Sequence, residues 1–270
     1  MTNLKISFNT VPVAILCGGD GVLLDVEPGK RVNKGLIQVE GKPLFFWVMQ
    51  HYAMHGATDF VLATGIQSEQ FSVALIAEGA TLAGQPDTYA LTIANRPCTV
   101  RRVITDTKAT TAARLLACKP WLLAACCFAL TYCDTLSNVD LSAELAFHSE
   151  KGVVATLVGA TYPVRFRILG IRQDESLVRA FAPRPIIEST YINGGYYIFD
   201  QAIWGEQYGV SADAPLENNP LERLAAAGQL VAFQHKGDWQ HYDGERDLAS
   251  LGRLAHSQQA KSHVSVSFAS

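Results

Sequence analysis

Glycines behind one apolar run and an acid behind another are the residues here whose types and spacing suit phosphate chemistry. Gly18, Gly19 and Gly21 follow the apolar run Val11 to Cys17. Lacking side chains, they let backbone N–H groups approach phosphate oxygens closely, although glycines after a strand serve equally as ordinary turn residues. Asp134 ends the apolar stretch that closes with Thr131-Tyr132-Cys133-Asp134. A carboxylate there either caps a helix or turn or binds magnesium, a hard cation that takes one or two carboxylates plus substrate phosphate oxygens. Cys17, Cys98, Cys118, Cys126, Cys127 and Cys133 form no CxxC pair and no zinc-ligand spacing. They read as mostly buried thiols.

Ligands of an open α/β sheet bind beyond the carboxyl ends of its strands, so the elements around both features matter. Val11 to Cys17 reads as a buried parallel strand, Pro43 to Met54 as a helix, and Asp59 to Thr64 as another buried strand, together a βαβ unit. Strand-like Tyr89 to Ala94 and Thr99 to Thr105 follow, then a helix from Thr110 to Cys118 and the apolar strand Ala124 to Tyr132. Beyond lie a helix near Val139 to Ser149 and strands at Val153 to Leu157, Arg165 to Ile171, Leu177 to Phe181 and Tyr191 to Phe199. Helices near Pro220 to Ala227 and Arg246 to Ala255 bracket a strand at Leu230 to His235. Early βα alternation before a strand-rich middle predicts an α/β fold, an open, mostly parallel, Rossmann-like sheet flanked by helices with a small antiparallel portion. No linker divides residues 1–256, which are expected to form one domain, and residues 257–270 are expected to be a flexible tail.

Bulk properties narrow the function classes. With 49% hydrophobic residues over 270 positions the chain can bury a substantial core, which excludes disorder as the default. A net charge of -3 with both signs scattered leaves no basic stripe for nucleic acid. The longest apolar run, Trp121 to Leu130, is about half of the ~20 residues a spanning helix needs, so no membrane span is expected. Met1 to Pro12 lacks the charged and long apolar regions of a signal peptide, and a cytoplasmic protein is expected.

Taken together, several motifs in order from about residue 11 to 250 make the chain resemble the sugar-phosphate nucleotidyltransferases. Gly18-Gly19-Asp20-Gly21 resembles the family's G-G-x-G-T-R-L loop, and Lys34-Gly35-Leu36 before Gly41-Lys42-Pro43-Leu44 resembles K-P-M before G-K-P-I. Thr111-Ala112-Ala113-Arg114-Leu115 is similar to T-G-G-R-L, and Ile192-Asn193-Gly194-Gly195 matches I-N-G-G. Pro220-Leu221-Glu222-Arg223-Leu224-Ala225 and Gly237-Asp238-Trp239-Gln240-His241-Tyr242-Asp243 resemble P-L-E-R-L-A and G-x-W-x-x-x-D, a combination that points to the glucose-1-phosphate cytidylyltransferase branch.

The resemblance implies magnesium-dependent attack of a sugar 1-phosphate, glucose 1-phosphate first, on the α-phosphorus of a nucleoside triphosphate, CTP first, with pyrophosphate released. It implies that Asp134 and Asp243 hold the metal, that Lys34 pairs with the phosphates as a point charge, and that Gly18, Gly19, Gly21, Thr111 and Arg114 bind the nucleotide. Arg184, Asn193 and Gly194 would take the sugar phosphate, and relatives in the family assemble into oligomers. Without the resemblance, Lys34 and Asp243 read equally as surface charges, Arg114 as a helix-surface salt bridge, and Asn193 to Gly195 as a plain loop.

The pattern also breaks. Val22-Leu23 replaces Thr-Arg, and losing an arginine from a phosphate forfeits a charge-assisted hydrogen bond of roughly 1.5–3 kcal/mol. Lys30 and Arg31 are the candidates to compensate. Pro183-Arg184-Pro185 stands for E-K-P, and Ala112-Ala113 sets methyl groups where two glycines let backbone approach the nucleotide. A working enzyme of altered specificity is therefore weighed against a catalytically silent relative that binds nucleotide sugars or regulates. A glycosyltransferase shares the metal-acid logic but would place Asp134 in a D-x-D.

Overall fold

The computed structural model describes residues 6–19, 23–27, 30–161, 168–171, 178–182 and 190–264, with side chains described for 6–19, 31–161 and 190–260. Strand β1 (Val13–Cys17) is buried along its whole length. Its residues alternate between two cores, with Val13, Ile15 and Cys17 in one and Ala14 and Leu16 in the other. A strand covered on both faces needs apolar side chains at every position, which is why the run is continuous. Helix α1 (Leu44–Met54) leads to β2 (Asp59–Thr64), where Phe60 and Leu62 face the first core and Val61 and Ala63 the second.

The chain continues through α2 (Ser68–Ala77), β3 (Thr81–Leu82), β4 (Thr88–Ile93), β5 (Arg96–Ile104), α3 (Thr111–Leu122), β6 (Cys127–Tyr132), β7 (Thr135–Ser137), α4 (Leu141–Lys151) and β8 (Ala155–Ala160). After these come β9 (Ile192–Asp200), α5 (Asn219–Ala226), β10 (Leu230–His235), β11 (Trp239–His241) and α6 (Leu248–Val264). Two hairpins, Leu23–Glu27 with Lys30–Asn33 and Ile168–Ile171 with Val178–Ala182, stand apart from the main sheet.

That sheet has nine strands in the order β10-β8-β9-β6-β1-β2-β5-β4-β3. Pairs β6-β1, β1-β2, β2-β5 and β8-β10 are parallel, whereas β9 and β4 run against their neighbours. The mostly parallel sheet with an antiparallel portion is thus the predicted architecture. Helices cover both faces: α1, α2, α4 and α6 deliver Trp47, Phe71, Leu145 and Leu251 to the first core, and α3 and α5 deliver Leu115 and Leu224 to the second. From β1 the chain winds outward to β5, then returns to the other side of β1 as β6. The crevice beyond the carboxyl ends of β1 and β6 is therefore the topological switch point, the place where such sheets bind ligands. Both Gly18 and Asp134 follow those two strands.

Some boundaries differ from expectation for physical reasons. The helix expected to stop at Cys118 runs through Pro120 to Leu122. A proline there removes one intrahelical hydrogen bond, but Leu122 is fully buried in the second core and holds the last turn. The apolar run Trp121 to Leu130 is consequently split between a helix end and β6, which starts at Cys127. Ser257 does not begin a loose tail, because α6 continues to Val264. Leu251, Leu254, Ala255 and Gln258 are all buried, at the three- and four-residue spacing of one helix face. Five cysteines are buried and Cys126 is exposed. Among the described residues no helix is long and apolar enough to cross a membrane.

Helix α4 drives an acid into the core. Asp140 caps it by accepting from Ala143 N at 3.0 Å, and the buried positions Leu141, Glu144, Leu145 and His148 form one stripe. Neither carboxyl oxygen of Glu144 has a hydrogen-bond partner among the described residues, and burial pushes its pKa up to about 8 from 4.5. Folded protein therefore holds a proton that unfolded chain releases, so stability is full below pH 4.5 and is lost as pH rises through about 8. Urea unfolding is expected to show wild type losing on the order of 1 kcal/mol per pH unit across that window. Glu144→Gln should be flat there and more stable than wild type at pH 9; parallel pH profiles would refute the buried proton.

Candidate functional site

The short ribbon of β7 and β11 assembles the corner next to the switch point. Thr135 pairs with His241, Leu136 with Gln240 and Ser137 with Trp239, and Tyr242 N donates to the carbonyl of Asp134 at 2.9 Å. Asp243 follows immediately, its N–H held by Asp247 Oδ2 at 2.8 Å. Lys34 comes from a third direction. Asn33 precedes it and locks its turn, donating from Nδ2 to Cys17 O at 2.8 Å and accepting from Gly35 N at 3.0 Å. The lysine is thereby tied to the end of β1.

Asp134 and Lys34 are both buried, at 4% and 6% exposure, which removes the surface-lysine reading, and Asp134 stands in the turn between β6 and β7. Lys34 Nζ donates to Asp243 Oδ1 at 3.2 Å and faces His241 Nε2 at 3.4 Å. The donor and acceptor roles at that contact follow the imidazole's tautomer, and the ring's other nitrogen is Nδ1. That nitrogen faces Thr135 Oγ1 at 3.2 Å and Asp134 Oδ1 at 3.6 Å. Burial pushes the Asp134 carboxyl above its ordinary value, His241 and Lys34 pull it back down, and Asp243 adds a further upward push. The two acids thus feel each other's charge, with Lys34 and His241 as the compensating groups. Among the described residues no three His, Cys, Asp or Glu side chains are spaced to hold a metal unaided. Two carboxylates nonetheless suit magnesium, which keeps waters and substrate oxygens in the rest of its shell.

A cavity of about 530 Å³ opens from this corner and is lined by Gly18, Gly19, Thr111, Arg114, Asp134, Asn193 and Gly194 among others. Its size suits a small-molecule ligand. At Gly18, however, the missing side chain also makes room for protein. A Cβ there would collide with the Arg114 guanidinium and with Gly65 N at 2.8 Å. Gly19, at φ +106°, turns the chain over the same group.

Arg114 is correspondingly buried, at 1% exposure, and is no helix-surface salt bridge. It donates to Thr105 Oγ1, to Asp106 O at 3.0 Å and to Thr107 O at 3.2 Å, and burial lowers its pKa. Hydrogen bonds to backbone carbonyls take up much of its donor capacity. Ala112 is fully buried in the second core, so its methyl group does not narrow the cavity as expected.

Asn193 and Gly194 open β9 instead of forming a plain loop. Asn193 Oδ1 accepts from Gly195 N at 3.0 Å and its Nδ2 donates to Tyr197 Oη at 2.5 Å. Gly21 and Arg184 lie outside the described residues, as does the side chain of Leu23. Arg31 is exposed. Sequence reasoning missed His241, Trp239, Tyr132 and Glu217, all of which line the cavity. Trp239 and His241 stand two apart on β11, so strand periodicity could have placed them on one face.

No protein-family model matches the chain. Glucose-1-phosphate cytidylyltransferase of Salmonella typhimurium is 30% identical over 247 residues, covering 89% of this chain and 94% of that protein. A probable glucose-1-phosphate cytidylyltransferase of Bacillus subtilis is 26% identical over 254 residues, with 89% and 94% covered. Among solved structures, a putative glucose-1-phosphate thymidylyltransferase from Bacillus anthracis, in complex with a sucrose, superposes with a TM-score of 0.64 at 17% identity, covering 91% of this chain and 95% of that one. At that identity it shows a shared fold.

The buried arginine yields a test that needs no ligand. Gly18→Ala is expected to lower the stability of the ligand-free protein by about 1–3 kcal/mol in urea unfolding, the usual cost of overpacking. Unchanged stability would mean that the space above Gly18 serves a ligand alone.

Proposed function

Because this chain belongs to the sugar-phosphate nucleotidyltransferase family, we propose that it transfers CMP from CTP to glucose 1-phosphate and releases pyrophosphate. The observation that carries this reading is the cluster of buried Asp134 and Lys34 with half-buried His241 and exposed Asp243, which meets the switch-point cavity through Asp134 and His241. The name of the Salmonella typhimurium relative supports the choice of base and sugar. One structural neighbour is a putative glucose-1-phosphate thymidylyltransferase by name, at an identity that shows the fold alone.

In this reaction a phosphate oxygen of the sugar 1-phosphate bonds to the α-phosphorus, and the bond from that phosphorus to the β-phosphate oxygen breaks. Such chemistry depends on positioning and charge neutralisation more than on covalent help. Asp134 and Asp243 are the residues that would hold magnesium, and the ion, when bound, neutralises phosphate charge. Lys34 supplies a desolvated positive charge to the departing pyrophosphate, exchanging its bond to Asp243 for phosphate oxygens. Arg114 contributes a fixed positive charge beneath the Gly18-Gly19 turn, which partly offsets the loop arginine that Leu23 replaces. Asn193 and Gly194 face the sugar, with the amide orientation set by Gly195 N.

Pyrophosphate release, measured across four nucleoside triphosphates and several sugar 1-phosphates, should be fastest with CTP and glucose 1-phosphate. Asp134→Asn is expected to reduce that rate by about 10²–10³-fold while melting normally. Inactivity over the whole grid, with a thermal shift only from finished sugar nucleotides, would favour the catalytically silent alternative.

A further inference from the structure

One carboxylate in the cavity has no part in the scheme above. Glu217 comes from the segment just before α5 and lines the cavity, half-buried. Its Oε2 accepts from Thr111 Oγ1 at 2.6 Å, and its Oε1 accepts from the Tyr132 hydroxyl. Thr111 is fixed in turn, since its oxygen accepts from Leu216 N at 2.8 Å.

Side chains behind Tyr132 connect it to the start of β9. Tyr132 donates its one hydroxyl proton to Glu217, and its ring meets that of Tyr197 edge to face with centroids 6.2 Å apart. The Tyr197 oxygen then accepts from Asn193 Nδ2 at 2.5 Å, and Asn193 cannot flip because its Oδ1 holds Gly195 N. Asn193, Tyr197 and Tyr132 therefore form a continuous chain of side-chain contacts that ends on the Glu217 carboxylate. A carboxylate has about four acceptor sites, and Thr111 and Tyr132 fill two. The remaining lone pairs repel a phosphate oxygen and suit a neutral donor.

We propose that Glu217 is a specificity residue that accepts a hydrogen bond from a ring hydroxyl of the sugar 1-phosphate, held in place by the chain that starts at Asn193. This rests on the sugar-1-phosphate reading above. The sugar is favoured over the nucleotide because the far end of the chain is Asn193, which opens β9 beside Gly194. A ribose hydroxyl or a base amine is the competing donor.

Wild type and Glu217→Gln are compared in pyrophosphate release with CTP and either glucose 1-phosphate or each of its monodeoxy analogues. The variant should raise KM for the sugar phosphate about ten- to a hundredfold, the value of a hydrogen bond to a charged group, with KM for CTP moving less than about twofold. One monodeoxy analogue should cost wild type that same factor and cost Glu217→Gln nothing further, the non-additivity of a direct contact. A rise in KM for CTP instead, or equal losses from every analogue in both proteins, overturns the inference. Should Glu217→Gln fail to fold, Tyr132→Phe removes one anchoring donor and should weaken the same sugar selectivity. Should wild type release no pyrophosphate, the proposed reaction fails but this inference is still decided. Thermal shifts with CDP-glucose and its monodeoxy forms should then show selectivity in wild type that Glu217→Gln lacks, and equal shifts in both would overturn it.

Discussion

A carboxylate taken out of water has to find positive charge or give up its own, and the burial of Asp134 imposes that condition on everything around it. Lys34 and His241 meet it, and each arrives by a different route. Lys34 is delivered by the Asn33 clamp onto the last residue of β1. His241 is delivered by a ribbon of three residues paired with three. Since Asp243 shares Lys34, the second acid is part of the same balance. The site is an electrostatic unit whose members come from the beginning, middle and end of the chain.

How much of this can be read from sequence follows from which interactions are local. The parallel strands announce themselves, because Val13 to Cys17 and Phe60 to Ala63 lie under helices on both sides and are apolar throughout. Asp134 is legible for the same reason, as the first acid beyond such a run. Lys34, Asp243 and Asn193 are legible only through family resemblance, since their partners are set by pairing between distant segments. Glu217 carries no pattern at all. Its role comes from the side chains of Thr111 and Tyr132, which no spacing in the sequence brings together.

Gly18 shows how a correct residue can be assigned an incomplete reason. Absence of a side chain permits close approach, but it does not say what approaches. Here the visitor is the guanidinium of Arg114, held under the loop by carbonyls of residues 106 and 107. The loop and α3 are consequently mechanically linked, and a substitution in either will be felt in the other. Pro120 and Ser257 teach a related lesson, for local breakers lost to burial of Leu122 and Gln258.

The ribbon of β7 and β11 has one more consequence. Two strands of three residues are a weak element, closed by contacts between segments far apart along the chain and lying outside the nine-stranded sheet. Leu136 is buried in the first core and Trp239 packs against it, so the ribbon's closure is tied to that core, and displacement of β11 would separate His241 from Asp134 at once. Occupancy by a ligand that touches both sides would staple it shut, so a working catalytic corner is a state the substrates help to complete.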